Sequence, residues 1–524
     1  MIVAKAPLRR AAKTSANEST GFEFVDDAFA AAAYDECRHL MSALEPRNAA
    51  QRGVFSLLEA RCAREEEDVA AWSAAAERAA KDHPTPAGRL AGVALRALAQ
   101  RRAGRHAAAD RDAALVRAKI EREPAVAAGL PSLALAEDAL ARDAYDEAES
   151  LGQRAHATAS TRAAATLVLA ACAIARARGN RAVTAIGEAL RAVRSDSPVD
   201  VGLVARALEL ATGYASASVD LKFGKRLQRE CAEFAWPASL WRTHVRTLAN
   251  LRAIALLDGD VETAWAYARE AAVRAGDASS TIAGETNAAV SSRLLGEERA
   301  AHLGLERAAA IVRQQRFAAG DDDARVALAT FAREAASDLG ADARKALTQF
   351  DALATGNAKS GDLASSRRAR ASGEMAHGRL AEVRGNYDAA YERYRAAFDA
   401  LRDLGDSMRA AIVAVDIGRL ASDAEAEDLL EGVLERAPDA WFAPHAAPGH
   451  EILAAITPAE TLVLGALLGG KSARAIAGDL DRSVHTINNH TRKIFQAFGV
   501  TSRAAVLAQC AELGITPKSL DRIV

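Results

Sequence analysis

Residues 457–503 read TPAETLVLGALLGGKSARAIAGDLDRSVHTINNHTRKIFQAFGVTSR. The stretch opens with Thr457-Pro458-Ala459-Glu460, a capping-box pattern with proline at the first helical position. Ser472 and Ser483 follow as N-cap residues of two further helices, and Gly499 is placed to end the third. We therefore expect short helices joined by tight turns, with the second and third in helix-turn-helix spacing.

The third helix of this stretch has two contrasting faces. Apolar or packing residues recur at helical spacing and predict a core stripe: Ile487, Thr491, Ile494, Phe495 and Phe498. The opposite face carries hydrogen-bonding side chains: His485, Asn488, Asn489, Arg492 and Gln496. From Arg482 to Arg503 there are four basic residues and no acid. A helix that lies in a major groove needs this combination, because Asn and Arg reach base edges while cations neutralise phosphates.

The order and spacing of these residues resemble the LuxR-type helix-turn-helix over about 60 residues. The matching positions are Ile456-Thr457, Glu460, Val463-Leu464, Gly470-Lys471-Ser472, Ile476-Ala477, Leu480, Ser483, Thr486-Ile487, His490, Ile494, Val500 and Arg503. The resemblance implies base reading by Asn488, Asn489 and Arg492. It also implies contacts to the DNA backbone by Ser472, Thr486, Lys493 and Arg503. We add His485, from the polar face of the helix, to these backbone contacts.

The same resemblance implies a homodimer formed through a fourth helix, Thr501–Leu513. The sequence departs from the family at Asn488, where lysine is common, and at Ala473 and Ala475, where polar residues are usual. Fewer charges predict weaker nonspecific binding. The adjacent asparagines favour adenine contacts through N6 and N7.

The segment Gly465–Ser472 also satisfies the P-loop pattern, GxxxxGKS. A phosphate-binding loop must follow a buried strand, whereas this one follows a predicted helix cap. We therefore expect no nucleotide binding here. No catalytic constellation or metal-ligand cluster is visible in the sequence, so we predict neither enzymatic activity nor a cofactor.

A different pattern recurs from about Phe22 to Glu435. A small or polar turn is followed two residues later by an aromatic or branched residue and then by alanines at helical spacing, roughly every 35 to 45 residues. The turns are at Tyr34, Gly104, Asp143, Gly179, Gly259, Gly296 and Gly385. The pattern resembles the tetratricopeptide repeat, most closely over Gly378–Leu401, where the consensus positions are Gly378, Tyr387, Ala390, Tyr394 and Ala397.

Composition favours an all-α protein with local DNA affinity. Half of the residues are hydrophobic but only 5% are aromatic, and the net charge is −2. Residues 451–524 hold eight basic against six acidic residues. The five cysteines are scattered and form no CxxC pair, which favours a reducing compartment. With no signal peptide or membrane span in view, we expect a cytoplasmic protein.

We therefore predict a tetratricopeptide-like helical solenoid followed by a four-helix LuxR-type domain. The expected boundaries are a disordered tail at 1–21, repeats at 22–436, a linker at 437–451, the DNA-binding domain at 452–516 and a tail at 517–524. Such a chain would be a sequence-specific transcription regulator that binds double-stranded DNA, with a protein or small-molecule effector on the repeats. Two rivals remain, a helical-repeat scaffold without DNA binding and an ATPase regulator.

Two features of the repeats are further candidates for ligand contacts, although packing is the commoner role of such residues. One is the aromatic group of Trp236, Trp241 and His244. The other is the run of three acids Glu65, Glu66 and Glu67. The sequence does not say which residues line a binding face.

Overall fold

The computed structural model describes residues 18–44, 46, 48–176, 180–195, 199–317, 321–356, 364–421, 423–443, 452–453, 455–513, 515 and 520. Within these residues the protein is all-α, as predicted, with 26 α-helices and no strand. The chain divides into two compact units, residues 1–256 with 260–410 and residues 257–259 with 411–524.

The helices of the first half are α1 (Glu18–Ala30), α2 (Tyr34–Ala43), α3 (Ala49–Glu65), α4 (Val69–Asp82), α5 (Pro86–Arg102), α6 (His106–Arg122), α7 (Leu130–Leu140), α8 (Tyr145–His156), α9 (Arg162–Arg176), α10 (Asn180–Ser195), α11 (Val201–Ser218), α12 (Leu221–Glu233) and α13 (Trp241–Leu257). Single 3₁₀ turns at Ala159–Thr161 and Ala238–Leu240 precede α9 and α13.

The helices of the second half are α14 (Val261–Arg274), α15 (Ala278–Leu294), α16 (Glu298–Gln314), α17 (Asp322–Glu334), α18 (Gly340–Gly356), α19 (Ala364–Val383), α20 (Tyr387–Asp403), α21 (Ser407–Gly418), α22 (Ala424–Arg436), α23 (Pro458–Leu468), α24 (Ala473–Asp479), α25 (Val484–Ala497) and α26 (Arg503–Glu512).

Consecutive helices of the first unit pack as hairpins. The pairs include α3 with α4, α5 with α6, α7 with α8, α15 with α16 and α19 with α20. Odd-numbered helices also contact the next odd-numbered helix, as in α5 with α7, α15 with α17 and α17 with α19. This arrangement is the one that stacked helix-turn-helix repeats adopt, and it is consistent with the predicted repeat array.

The turns between paired helices share one backbone conformation. Gly104, Asp143, Gly259, Gly296 and Gly385 all have φ between 56° and 78°, in the left-handed region, so these predicted turns are confirmed. Predicted turn Gly179 lies outside the described residues, and Tyr34 begins α2 just after a positive-φ residue. Two turns that we did not predict have the same geometry without glycine: Glu67 (φ 58°) and Val219 (φ 59°).

Alanine is the main packing residue of the array. In the best-matched repeat, Ala390, Tyr394 and Ala397 are fully buried, and the Tyr394 hydroxyl donates to Glu382 at 2.7 Å. A Cβ on Gly378 would lie 2.7 Å from the Tyr394 ring, which explains the small residue there. Tyr387, by contrast, is 59% exposed, so its consensus position does not make it a core residue.

The acidic run Glu65–Glu67, here called the acidic turn, pairs with arginines from distant repeats. Arg206 of α11 donates to Glu65 at 3.4 Å, and Arg246 of α13 donates to Glu67 at 3.2 Å. The Glu66 carboxylate accepts a hydrogen bond from Arg38 at 3.1 Å, and the Glu66 carbonyl oxygen accepts one from Arg242 at 2.6 Å. Burial opposes the charge of Glu67, but Arg246 outweighs it and lowers the pKa of this carboxyl. The acidic turn therefore joins repeats that are far apart in sequence.

The expected domain boundaries remain predictions, but the helices refine them. Helix α1 begins at Glu18, before the expected start of the repeats at Phe22. Residues 444–451 of the proposed linker lie outside the described residues, whereas Phe442 is 1% exposed. Leu520, in the proposed C-terminal tail, is 3% exposed and belongs to the core of the last domain.

One segment, Ala159–Arg176, is long and apolar enough to span a membrane by length and composition alone. It contains α9, which packs between α8 and α10, and 44% of the segment is buried inside the protein. A buried core helix passes the same test, so the segment is weak evidence for a membrane span.

Candidate nucleic-acid interface

The C-terminal domain begins with the capping box that the sequence predicted. The Thr457 hydroxyl accepts from the Glu460 backbone N–H at 3.3 Å, and the Glu460 carboxylate accepts from the Thr457 N–H at 2.7 Å. Glu460 is only 3% exposed, yet its other oxygen lies 3.4 Å from Lys493 Nζ and 3.5 Å from His490 Nδ1. Burial disfavours the charge on Glu460, but the hydrogen bonds with Thr457 and the nearby His490 and Lys493 outweigh it and lower the pKa of this carboxyl. The start of α23 is thereby fixed against α25.

The helix-turn-helix is built from α24, a tight turn and α25. The Ser472 hydroxyl accepts from the Ala475 N–H at 3.3 Å and caps α24. The Ser483 hydroxyl accepts from the Thr486 N–H at 3.0 Å and caps α25. The turn between them passes through Asp481, whose φ of 50° is one that Asp tolerates better than most residues. The capping chemistry read from the sequence is confirmed.

One apolar core holds the four helices together. From α25, Ile487 and Ile494 are fully buried and Phe498 is 4% exposed. They pack with Leu464 of α23, Ile476 of α24 and residues of α26. The predicted core stripe of the third helix is therefore correct, except that Thr491 and Phe495 are half-buried.

The opposite face of α25 is open to solvent. Asn488, Asn489 and Arg492 are exposed, and within the described part of the chain none of the three makes a hydrogen bond. His485 and Lys493 are exposed on the same helix. This face therefore offers amide and guanidinium groups that are free to bind an external partner.

The other predicted backbone contacts have local roles. Ser472 is exposed and Thr486 is half-buried, and both take part in the helix caps described above. Arg503 is half-buried and donates through Nη2 to the Leu467 carbonyl at 3.0 Å, which links α26 to the end of α23. Their phosphate contacts remain predictions.

Sequence reasoning missed two further features of this surface. Arg474 on α24 and Arg482 in the turn are exposed and add positive charge beside α25. Both are among the eight basic residues of 451–524, but we did not assign them contacts. It also missed the packing of Lys493 and His490 against Glu460, because sequence spacing does not show which helix faces α25.

The segment that fits the P-loop pattern begins inside a helix. Its first four residues, 465–468, belong to α23, where a phosphate-binding loop would require a preceding strand. Lys471 pairs with Asp479 at 2.7 Å on the surface. Among the described residues, no group of three or more His, Cys, Asp or Glu side chains is placed to hold a metal ion.

Residues 454–509 match the family described as bacterial regulatory proteins, luxR family. No curated protein matches the chain significantly. The C-terminal domain is therefore a LuxR-family helix-turn-helix domain, and the chain has the DNA-binding module of a transcription regulator.

Proposed function

We propose that this chain, with its LuxR-family helix-turn-helix at residues 454–509, is a sequence-specific transcription regulator whose helix α25 enters the major groove of DNA. The observation that carries the proposal is the free face of α25. Asn488, Asn489 and Arg492 are exposed there while Ile487 and Ile494 anchor the helix in the core.

Base reading is assigned to the two asparagines and Arg492. An asparagine can bond N6 and N7 of adenine, and an arginine can bond O6 and N7 of guanine, in each case with two hydrogen bonds. Backbone contacts are assigned to Ser472, His485, Thr486, Lys493 and Arg503. The cations among them would displace counterions from the duplex, which makes the affinity salt-dependent.

We further propose that the chain binds as a homodimer through Thr501–Leu513. In α26, Val506 and Cys510 point into the domain core, whereas Ala504 and Ala508 are exposed. The small side chains of this exposed face would let a second copy approach closely. Two copies would place two α25 helices in successive major grooves about 34–36 Å apart, on a roughly two-fold site.

The helical array is proposed to act as a sensor or interaction platform that controls the DNA-binding domain. Its stacked hairpins have the architecture that other repeat proteins use for binding. The chain would work in the cytoplasm, a reducing compartment that suits its five free cysteines. It would have no catalytic activity of its own.

The experiment is selection of bound sequences from a random duplex pool with the full-length protein, followed by affinity measurements on the selected site. Asn488→Ala, Asn489→Ala and Arg492→Ala should each cost about 1–3 kcal/mol and relax the preference at one position. Arg299→Ala, at an exposed arginine of α16, is the matched control.

The rival is a helical-repeat scaffold that does not bind DNA. Affinity for mixed-sequence duplex at two salt concentrations separates the two functions. A DNA-binding domain that contacts several phosphates must weaken steeply with salt. The regulator function would be refuted if the protein bound no duplex at low salt, or if Arg492→Ala left its affinity for the duplex unchanged.

A further inference from the structure

A cavity of about 320 Å³ lies in the helical array, among the end of α12, the loop that follows it, α13 and α14. It is at the small end of the range of ligand pockets, which is about 300–1,000 Å³. Its lining includes four ring-bearing residues and two opposite charges: Phe234, Trp236, His244, Tyr267, Glu270 and Arg274. The size suits a molecule no larger than an aromatic amino acid.

The aromatic side of the cavity is held in place by its own contacts. The Trp236 ring stacks on His244 with centroids 4.3 Å apart and an angle of 2° between the planes. Phe234 meets Trp236 edge to face at 4.8 Å. The indole N–H of Trp236 donates to the Cys231 carbonyl at 3.3 Å, which fixes the ring orientation. Such a preformed wall suits a planar ligand.

Two polar groups of the lining have unused hydrogen-bonding capacity. His244 is 5% exposed, and the Glu270 carboxylate lies 3.8 Å from its Nε2, beyond hydrogen-bond distance. Burial, aided by Arg274, lowers the pKa of His244 to about 4, so the ring is neutral at pH 7 and offers one donor and one acceptor. The Tyr267 hydroxyl has no hydrogen-bond partner among the described residues. Both groups are therefore available to hydrogen-bond a molecule in the cavity.

The charged residues of the lining balance each other. Arg274 Nε donates to Glu270 Oε1 at 2.7 Å, and both side chains are nearly half exposed. A molecule with a single net charge gains little from this pair. A zwitterion can bond both partners at once, with its ammonium group on Glu270 and its carboxylate on Arg274.

We propose that this cavity binds a zwitterionic aromatic molecule, of the class of aromatic amino acids, as the effector of the array. The ring would lie against Phe234 and Trp236, and the charged end would meet Glu270 and Arg274. The effector role rests on the proposed regulator function, whereas the binding itself does not.

The test is calorimetric titration of the full-length protein with L-tryptophan, L-tyrosine and L-phenylalanine, and with indole as a probe that has the ring without the charges. At least one amino acid should bind, and indole should bind more weakly than tryptophan. Arg274→Gln and Glu270→Gln should each weaken binding about tenfold or more, because each removes a charged hydrogen-bond partner.

Tyr267→Phe removes only a hydroxyl and tests the cavity without disturbing its walls. The control is Glu123→Gln, which breaks Lys119–Glu123, an exposed pair with the same spacing of four residues at the C-terminal end of α6. The proposal is overturned if none of the three amino acids binds, if indole binds as tightly as tryptophan, or if Glu270→Gln and Glu123→Gln behave alike.

The effector role is tested separately through DNA affinity. The amino acid that binds should change the affinity of the wild-type protein for its selected duplex and leave that of Glu270→Gln unchanged. An amino acid that binds without changing DNA affinity overturns the effector role. A wild-type protein that binds the amino acid but no DNA refutes the regulator function and leaves the cavity assignment standing.

Discussion

Lys493 Nζ lies 3.4 Å from the buried carboxylate of Glu460, so a cation of the proposed recognition helix is tied to the capping box of α23. His490 approaches the same carboxylate oxygen at 3.5 Å. One glutamate thus closes the first turn of α23 and sets the position of α25. The position of the DNA-facing side chains depends on it.

Glu460→Ala should destabilise the C-terminal domain by about 0.5–2 kcal/mol from the lost cap alone. We expect faster amide hydrogen exchange in α23 and α25 of the full-length protein, together with weaker DNA binding. Asp479→Asn is the control, because it breaks only the exposed pair with Lys471. Unchanged exchange in α25 would mean that Glu460 does not position this helix.

The lowered pKa of the Glu460 carboxyl predicts that the stability of the folded protein depends on pH. Its pKa is lower in the folded protein than the ordinary value of 4.5, so its contribution to stability is fully present above that value. The contribution is lost as the pH falls through the lower, folded-state pKa. Stability curves of wild type and Glu460→Gln from pH 7 to pH 3 should therefore converge at the acidic end.

Asp138→Asn should destabilise the array strongly. Asp138 is fully buried in α7, where it accepts from Arg101 Nε of α5 at 2.6 Å and from Arg142 Nε at 3.1 Å. Loss of its charge leaves Arg101, itself 8% exposed, with the exposed Asp110 as its remaining carboxylate partner, and breaking a buried ion pair in this way costs about 3–5 kcal/mol. Urea unfolding of the full-length protein, followed by hydrogen exchange in α5 and α7, measures the effect.

The exposed pair Lys119–Glu123 provides the comparison. Glu123→Gln should cost less than about 1 kcal/mol, because solvent screens such pairs. Equal effects of Asp138→Asn and Glu123→Gln would contradict the buried network.

Two glycine substitutions should act in opposite directions. In α5, a Cβ on Gly92 would lie 2.4 Å from the Ala80 backbone nitrogen of α4, so Gly92→Ala must push two helices apart at a cost of about 1–3 kcal/mol. In α10, a Cβ on Gly187 meets nothing within 4 Å, so Gly187→Ala should stabilise the helix by about 0.5–1 kcal/mol. Thermal unfolding of both variants checks the sign of each change.

Three cysteines, Cys172, Cys231 and Cys510, should be unreactive in the native protein. All five cysteines are buried, and burial raises the pKa of Cys172 to about 11, of Cys231 to about 12 and of Cys510 to about 11. Because the thiolate is the nucleophile, a disulfide reagent at pH 8 should label these three slowly until denaturant exposes them. Rapid labelling of any of them in the native state would contradict the packing described here.

Much of the fold could be predicted from local signals. The capping box at Thr457–Glu460 and the glycine turns are decided by neighbouring residues, and both are confirmed. The turns at Glu67 and Val219 were not predicted from the sequence, because non-glycine residues adopt a left-handed conformation there. No local rule predicts such a residue.

The candidate sites also contain some features that local sequence predicts and others that it does not. Exposure of Asn488 and Arg492 follows from helical periodicity, so the sequence was sufficient to predict it. The stacking of Trp236 on His244 beside Tyr267 requires three segments to meet, and the pairing of the acidic turn with Arg206 and Arg246 requires distant repeats to meet. Neither relationship is encoded at a fixed spacing.

The links from the acidic turn to α11 and α13 change how the array should respond to shortening. In an ordinary solenoid each repeat touches only its neighbours, and terminal units can be trimmed one at a time. Here, deletion of the first four helices would remove Glu65 and Glu67 from Arg206 and Arg246 in the middle of the chain, which would keep Glu137 and Glu209 as partners. Repeats this far apart are thereby coupled, and the unit that unfolds cooperatively extends well beyond a single helical pair.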